Sequence, residues 1–155
     1  MTALEARFRL RSARGERTVS ADQLFQGPLT TALDDDELLC AIDVPPLPAG
    51  SGSAFVEYAR THGDFAIAGA AVVVAAGQRC AIALLGAAGR PLRPELAELA
   101  LRDGDPDEEV ARRAGAAVTG PAHDGGHRRA LITAMVARSL YLARGRAATS
   151  ASELR

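Results

Sequence analysis

Lysine is absent from this sequence: all 18 basic residues are arginine, and against 19 acidic residues they leave a formal net charge of −1. That balance supplies no basic stripe for a nucleic acid backbone, and the mixed order of charges leaves no polyionic or disordered tail. Cysteine is scarce. Cys40 and Cys80 fall far apart in expected strands, without the clustering of a zinc or iron–sulfur site, so they read as small buried hydrophobes, with a disulfide between them left open. Metal-binding patterns are missing as well. Asp34, Asp35 and Asp36 lack the alternating ligands, central glycine and distal glutamate of a calcium loop. His62, His123 and His127 are scattered, and the last two straddle Gly125-Gly126, where a shared helical face is not expected. The first fourteen residues hold no continuous apolar stretch of the secretory type, and no apolar run approaches the ~18 residues of a membrane span. The expectation is a cytoplasmic protein with neither nucleic acid nor membrane as partner.

What is present is a core. With 155 residues and 48% hydrophobic content, the chain can bury enough apolar surface for one ordinary domain. It is organised around residues 54–67, which run into the small apolar block 68–76. Between these two strand candidates lies a polar tip of Arg60, Thr61, His62, Gly63 and Asp64, where glycine and aspartate suit a tight corner.

Before that stretch, residues 6–12 alternate, with Phe8 and Leu10 on one face and arginines on the other, which predicts a half-buried strand. Gly15 marks a turn, 17–19 a returning strand, and Ser20 an N-cap for a short helical turn through Phe25 that Gly27-Pro28 ends. A further strand over 37–44 closes at Pro45-Pro46, and 45–53 reads as a linker. After the corner, a two-residue turn at Gly77-Gln78 joins the block 66–76 to a strand over 79–86, so the three strands from 54 onward should form an antiparallel meander. The loop 86–91 has neither the G-x-G-x-x-G nor the Walker spacing of a phosphate cradle. From Pro94 the period becomes helical: a short helix from Pro94, a second from Asp105 to about Val118 with acids in its first turn, a break at 120–126, and a final helix over 127–144. Leu131, Met135 and Leu140 are expected to bury against the strands, with a frayed tail beyond. The fold class is α+β, an antiparallel three-stranded meander packed with three C-terminal helices and preceded by short strands.

These segments resemble a family. Arg14 to Val19, Leu24 to Pro28, and Asp36-Glu37-Leu38-Leu39 with Ile42 and Pro45 are similar to the end of the FAD-binding region in flavoprotein subunits of molybdenum hydroxylases. They resemble carbon monoxide dehydrogenase medium subunits and, more distantly, xanthine dehydrogenase. Residues 54–67, 81–92 and His127-Arg128-Arg129 resemble that family's C-terminal domain. The resemblance implies a remnant of the FAD-binding region over 1–48, a C-terminal-type domain over 49–147 and a flexible tail over 148–155. It also implies an oxidoreductase setting in which Leu39, Arg60, Asp64 and Phe65 face FAD, with molybdenum and iron–sulfur subunits or a separate FAD-loop polypeptide as partners. An aromatic ring beside a flavin suits its planar system.

One departure limits the implication. The glycine-rich loops that hold the FAD diphosphate in the family lie upstream of anything matched here, so the chain alone is not expected to retain FAD. A truncated or split flavoprotein-subunit domain, supplying one wall of a flavin site and a subunit interface, is therefore one reading. The other is a free-standing, flavin-independent protein that reuses the fold as a small-molecule-binding cyclase or isomerase, with Asp64 and His62, or Glu57 and Tyr58, as acid and base. A third is an interaction module that buries its flavin-side face in a homo-oligomer.

Overall fold

Alternation in the first part of the chain becomes a three-stranded sheet in the computed structural model, which describes residues 1–61, 63–75, 80–118 and 122–153, the side chains of 122–125 and 151–153 excepted. The sheet consists of β1 (Arg7–Ser12), β2 (Gly15–Ser20) and β5 (Leu38–Asp43) in the order β2-β1-β5, all antiparallel. Phe8 and Leu10 are buried on one side, with Val19 across from Phe8, and the arginines of β1 face outward. Ser20 caps the single helical turn α1 (Ala21–Leu24) as expected. Its hydroxyl accepts from the Gln23 amide and the Gln23 side chain accepts from the Ser20 amide, a complete capping box. Ala21 and Leu24 then join Phe8, Leu10 and Val19 in a small core, and β3 (Phe25–Gly27) and β4 (Thr30–Thr31) form a short ribbon beside it.

The meander forms as expected. β6 (Gly52–Tyr58), β7 (Ala68–Val74) and β8 (Ala81–Leu85) are consecutive antiparallel neighbours. The turn expected at Gly77-Gln78 lies outside the described residues. One face of this sheet, through Ala54, Ala68, Ala70, Val72, Val74, Ile82 and Leu84, packs with α2 (Glu95–Asp103), α3 (Asp107–Ala116) and α4 (Ala122–Glu153) into the main core. The buried stripe of α4 is Ile132, Val136, Leu140 and Ala143. Leu140 is where it was expected, whereas Leu131 and Met135 pack only partly buried on its flanks. The stripe also carries Ser139, whose hydroxyl stays buried because it donates to the Ala70 carbonyl at 3.0 Å.

Three expectations change. The final helix starts at Ala122, inside the break expected at 120–126, and runs through Gly125-Gly126. The final helix does not end near Arg144: Arg144 pairs with Asp107 and Arg146 donates to the Ser53 carbonyl, so residues 148–153, read as tail, continue the helix. Cys40, read as buried, is exposed on β5, while Cys80 is half-buried against the core, and both thiols are free. The two sheets meet where Ala3 and Leu4 cover Val73, Ala81 and Ala83 on the face of the meander turned away from α4. Arg93 bridges Glu5 and Glu98 at the same junction. Among the described residues no helix is long and apolar enough to cross a membrane.

Candidate functional site

The corner between β6 and β7 is built by its own backbone. Ile67 donates to the Tyr58 carbonyl at 2.8 Å, closing the hairpin, and the Asp64 amide donates to the Thr61 carbonyl at 3.1 Å. Gly63, at φ +85°, takes the left-handed conformation that turns the chain there. The Asp64 carboxylate accepts from the Phe65 amide at 2.7 Å, so it fixes the residue beside it instead of pairing with Arg60. Among the described residues no ion pair joins Arg60 to Asp64. The consequence is a corner that holds a phenyl ring in the open: Phe65 is 90% exposed. An aromatic ring fixed there costs apolar hydration that folding does not recover.

Leu39 is on the other sheet. Its register partner is Leu10, so it points to the same side as the buried Phe8 and Leu10, yet it is 44% exposed. No hydrogen bond or core cluster among the described residues connects Leu39 with 60–65. The entry to β5 is fixed by Glu37, which accepts from the Nε and Nη2 of Arg17, each at 2.7 Å, and from the Asp34 amide at 2.9 Å. Arg17 and that amide hold the Glu37 carboxyl at about 2, well below its ordinary range. Asp34 and Asp36 are both taken by Arg14, at 3.0 and 2.8 Å.

Of the two acid–base pairs, the described residues separate one. Glu57 and Tyr58 are successive residues of β6 and point to opposite faces, Tyr58 to the side of Ala68 and Glu57 to that of Gly69. His62 lies outside the described residues, as does the side chain of His123, and His127 is exposed on α4. Among the described residues, clefts of about 310–670 Å³ open elsewhere, without Leu39, Arg60, Asp64 or Phe65 in their lining. What sequence reasoning missed is the extent of the apolar display, since Phe55, Leu38, Ile42 and Val44 are exposed too. The signal for Phe55 was present: Gly52 and Ala54 are the small residues that a close helix requires, which sends Phe55 to the opposite face.

As a flavin site this surface fits one part of the cofactor. Phe65, Tyr58 and Leu39 offer flat or aliphatic contact for a ring system. The diphosphate has no cradle among the described residues. α2 and α3 carry Glu95, Glu98, Asp107, Glu108 and Glu109 in their first turns, so carboxylates already occupy the positive ends of their dipoles. The loop 86–91 is committed to structure: Leu84 and Leu92 exchange backbone bonds across it, and Arg90 donates to the Asp22 carbonyl.

Comparison with known proteins gives these residues a context. Residues 53–141 match the model of the CO dehydrogenase flavoprotein C-terminal domain, and residues 1–47 that of the FAD binding domain in molybdopterin dehydrogenase. The alpha subunit of the 6-hydroxypseudooxynicotine dehydrogenase complex of Paenarthrobacter nicotinovorans is 35% identical over 95% of this chain and 54% of its own length. The carbon monoxide dehydrogenase medium chain of Afipia carboxidovorans is also 35% identical, over 95% of this chain and 55% of its own. Among solved structures, carbon monoxide dehydrogenase from Hydrogenophaga pseudoflava, in a form lacking the Mo-pyranopterin moiety of the molybdenum cofactor, superposes with a TM-score of 0.83 at 36% identity, covering 94% of this chain and 54% of that one. The chain thus spans about half the length of the relatives it matches. With a FAD-binding domain match leading into the meander and its three helices, the chain belongs to the carbon monoxide dehydrogenase flavoprotein C-terminal domain family.

Proposed function

We propose that this chain supplies the C-terminal wall of a flavin site in a molybdenum hydroxylase-type oxidoreductase, with the C-terminal-type domain over 49–147 and the end of the FAD-binding region over 1–48. Leu39, Arg60, Asp64 and Phe65 form the flavin-side surface: Phe65 lies against the ring system, Leu39 contacts it from the other sheet, and Asp64 holds the corner that presents Phe65. FAD, when bound, carries the electrons. This chain's residues position and shield it. The diphosphate is gripped by a separate part of a medium-type subunit, and molybdenum and iron–sulfur subunits complete the redox chain. The observation that carries the reading is Phe65, presented beside Asp64 at the corner between β6 and β7 and 90% exposed, in a chain matched by a FAD-binding model at its start. The cyclase or isomerase reading needs converging titratable groups in an enclosed space, and the divergence of Glu57 from Tyr58 and the open corner do not favour it.

The absorption spectrum tests this. Purified alone, the chain is expected to be colourless. Mixed with FAD and a polypeptide carrying the flavin loops of a medium chain, it is expected to retain a yellow chromophore through gel filtration, and Phe65→Ala to weaken that retention. Tight, stoichiometric FAD on the isolated chain would contradict the missing-cradle argument, and a colourless mixture would sink the flavin reading.

A further inference from the structure

Phe65 stands on a corner whose own bonds fix its shape but not its direction. Among the described residues, the hydrogen bonds of the corner run within 58–67: Ile67 to Tyr58, Asp64 to Thr61, and the Phe65 amide to Asp64. Direction comes from what the ends of the corner touch, and the end at Ile67 touches the loop 86–91. Gly86 lies so close to the Ile67 carbonyl that a methyl group there would collide with it, and at φ +72° it holds the left-handed conformation that suits glycine. The Ile67 amide is meanwhile held by the Tyr58 carbonyl at 2.8 Å, so this residue is gripped from both sides.

The loop is itself tied down at several points. Leu84 and Leu92 exchange backbone bonds at its base, at 2.8 and 3.1 Å, and Ala87 is fully buried in the main core. From α4, Arg128 donates through Nη1 to the Gly86 carbonyl at 3.4 Å. The far end of the loop leans on the first part of the chain. Gly89 lies beside Pro28 in the turn between β3 and β4, and Arg90 donates to the Asp22 carbonyl of α1 at 3.2 Å. One short loop therefore touches the corner that carries Phe65, the long helix, and the elements beside the first sheet.

We infer that the loop 86–91 aims the corner, with Gly86 and Arg128 as positioning residues that set where Phe65 stands relative to the first sheet. This rests on the function proposed above and adds the residues that place its exposed ring. Gly86 acts through the Ile67 carbonyl and Arg128 through the Gly86 carbonyl, so both reach Phe65 by way of the backbone. Such support matters because a binding group must be held to within about 0.5 Å of its productive place.

Amide hydrogen exchange on the chain alone is the first test, with Arg128→Met and Gly86→Ala as variants. Exchange of the Ile67 amide is expected to quicken roughly tenfold in each, beyond any change at Val72, Ile82, Val136 and Leu140. A rate at Ile67 that is unchanged, or that rises no more than those core amides do, overturns the inference, since the residues would then serve overall stability alone. If one variant fails to fold, the other decides. The second test mixes the chain with FAD and the portion of the Afipia carboxidovorans medium chain that it does not match, produced as a separate polypeptide. Arg128→Met is expected to retain several-fold less FAD through gel filtration than wild type, and to quench its fluorescence less, although Phe65 is intact. A wild-type mixture and an Arg128→Met mixture that are equally yellow would overturn the inference and leave the flavin reading standing. A colourless wild-type mixture would remove the flavin reading, and the exchange pattern would still decide whether the loop aims the corner.

Discussion

Glu37 shows how one carboxylate can set a strand in place and tie the fold to pH. Its pKa is held at about 2 by the hydrogen bonds from Arg17, then by the Asp34 amide, while Arg17 is raised in return. A carboxyl whose folded pKa lies below its unfolded one stabilises the fold above the unfolded value and loses that contribution as pH falls through the folded one. The window here runs from about 4.5 down to about 2. Glu109, held at about 2 by Arg112 and Arg113, loses its contribution over the same range. Acid titration of the folding midpoint is expected to fall less steeply in this window for Glu37→Gln than for wild type. An identical slope would show that Glu37 contributes nothing to acid stability. At this scale the sequence is an uneven guide. Ser20 as N-cap was legible because a hydroxyl before a helical turn has one obvious use, and the corner was legible from Gly63 and Asp64. Cys40 was misread as interior because an apolar run in a strand looks the same whether or not a neighbour covers it.

Between elements, the tightest approach is that of β6 to α4 at Gly52. A methyl group there would collide with the Ala143 carbonyl and crowd the Ala147 amide, so the strand touches the helix backbone directly. Gly52→Ala is expected to cost ~1–3 kcal/mol of stability, as overpacking does, because neither partner is a side chain that can rotate away. Chemical denaturation measures it, and an unchanged midpoint would mean that β6 and α4 can separate without loss. The contact also explains which part of α4 could be read in advance. The apolar repeat through Leu140 follows from helical period alone, and the helix was expected. Its continuation past Gly145 was not, because glycine near the end of an apolar stripe reads as a stop. The last turns are kept by tertiary partners distant in sequence: Asp107 for Arg144, and the Ser53 carbonyl for Arg146, 2.6 Å away.

Across the whole molecule, one ionic cluster joins the two sheets. Glu98, 5% exposed, accepts from the Ile82 amide at 2.8 Å and from Arg93 at 2.9 and 3.0 Å, and Arg93 reaches on to Glu5 at 3.2 Å. Burial alone would lower the Arg93 pKa, but its bonds to Glu98 and Glu5 outweigh it and the net shift is upward. Neither the pairing nor the docking of Ala3 on Val73, Ala81 and Ala83 was legible in sequence, since local pattern orders strands within a meander but says nothing of how separate sheets meet. The physical consequence can be measured. Glu98→Ala removes the acceptor of the Ile82 amide and leaves Arg93 with only its outer partner, a partly buried charge short of its pairing. A loss of roughly 2–3 kcal/mol is expected, below the full cost of stranding a buried ion because Arg93 retains some access to solvent. Glu98→Gln should lose less, since its amide oxygen can still accept from Ile82. Faster amide exchange over residues 3–6 should accompany both, because Arg93 holds Glu5 beside them. If stability falls while exchange there is unchanged, the cluster serves the helical core alone and the first sheet is held by Ala3 and Leu4. If both change together, Arg93 keeps the sheet that carries Leu39 and the meander that carries Phe65 in register.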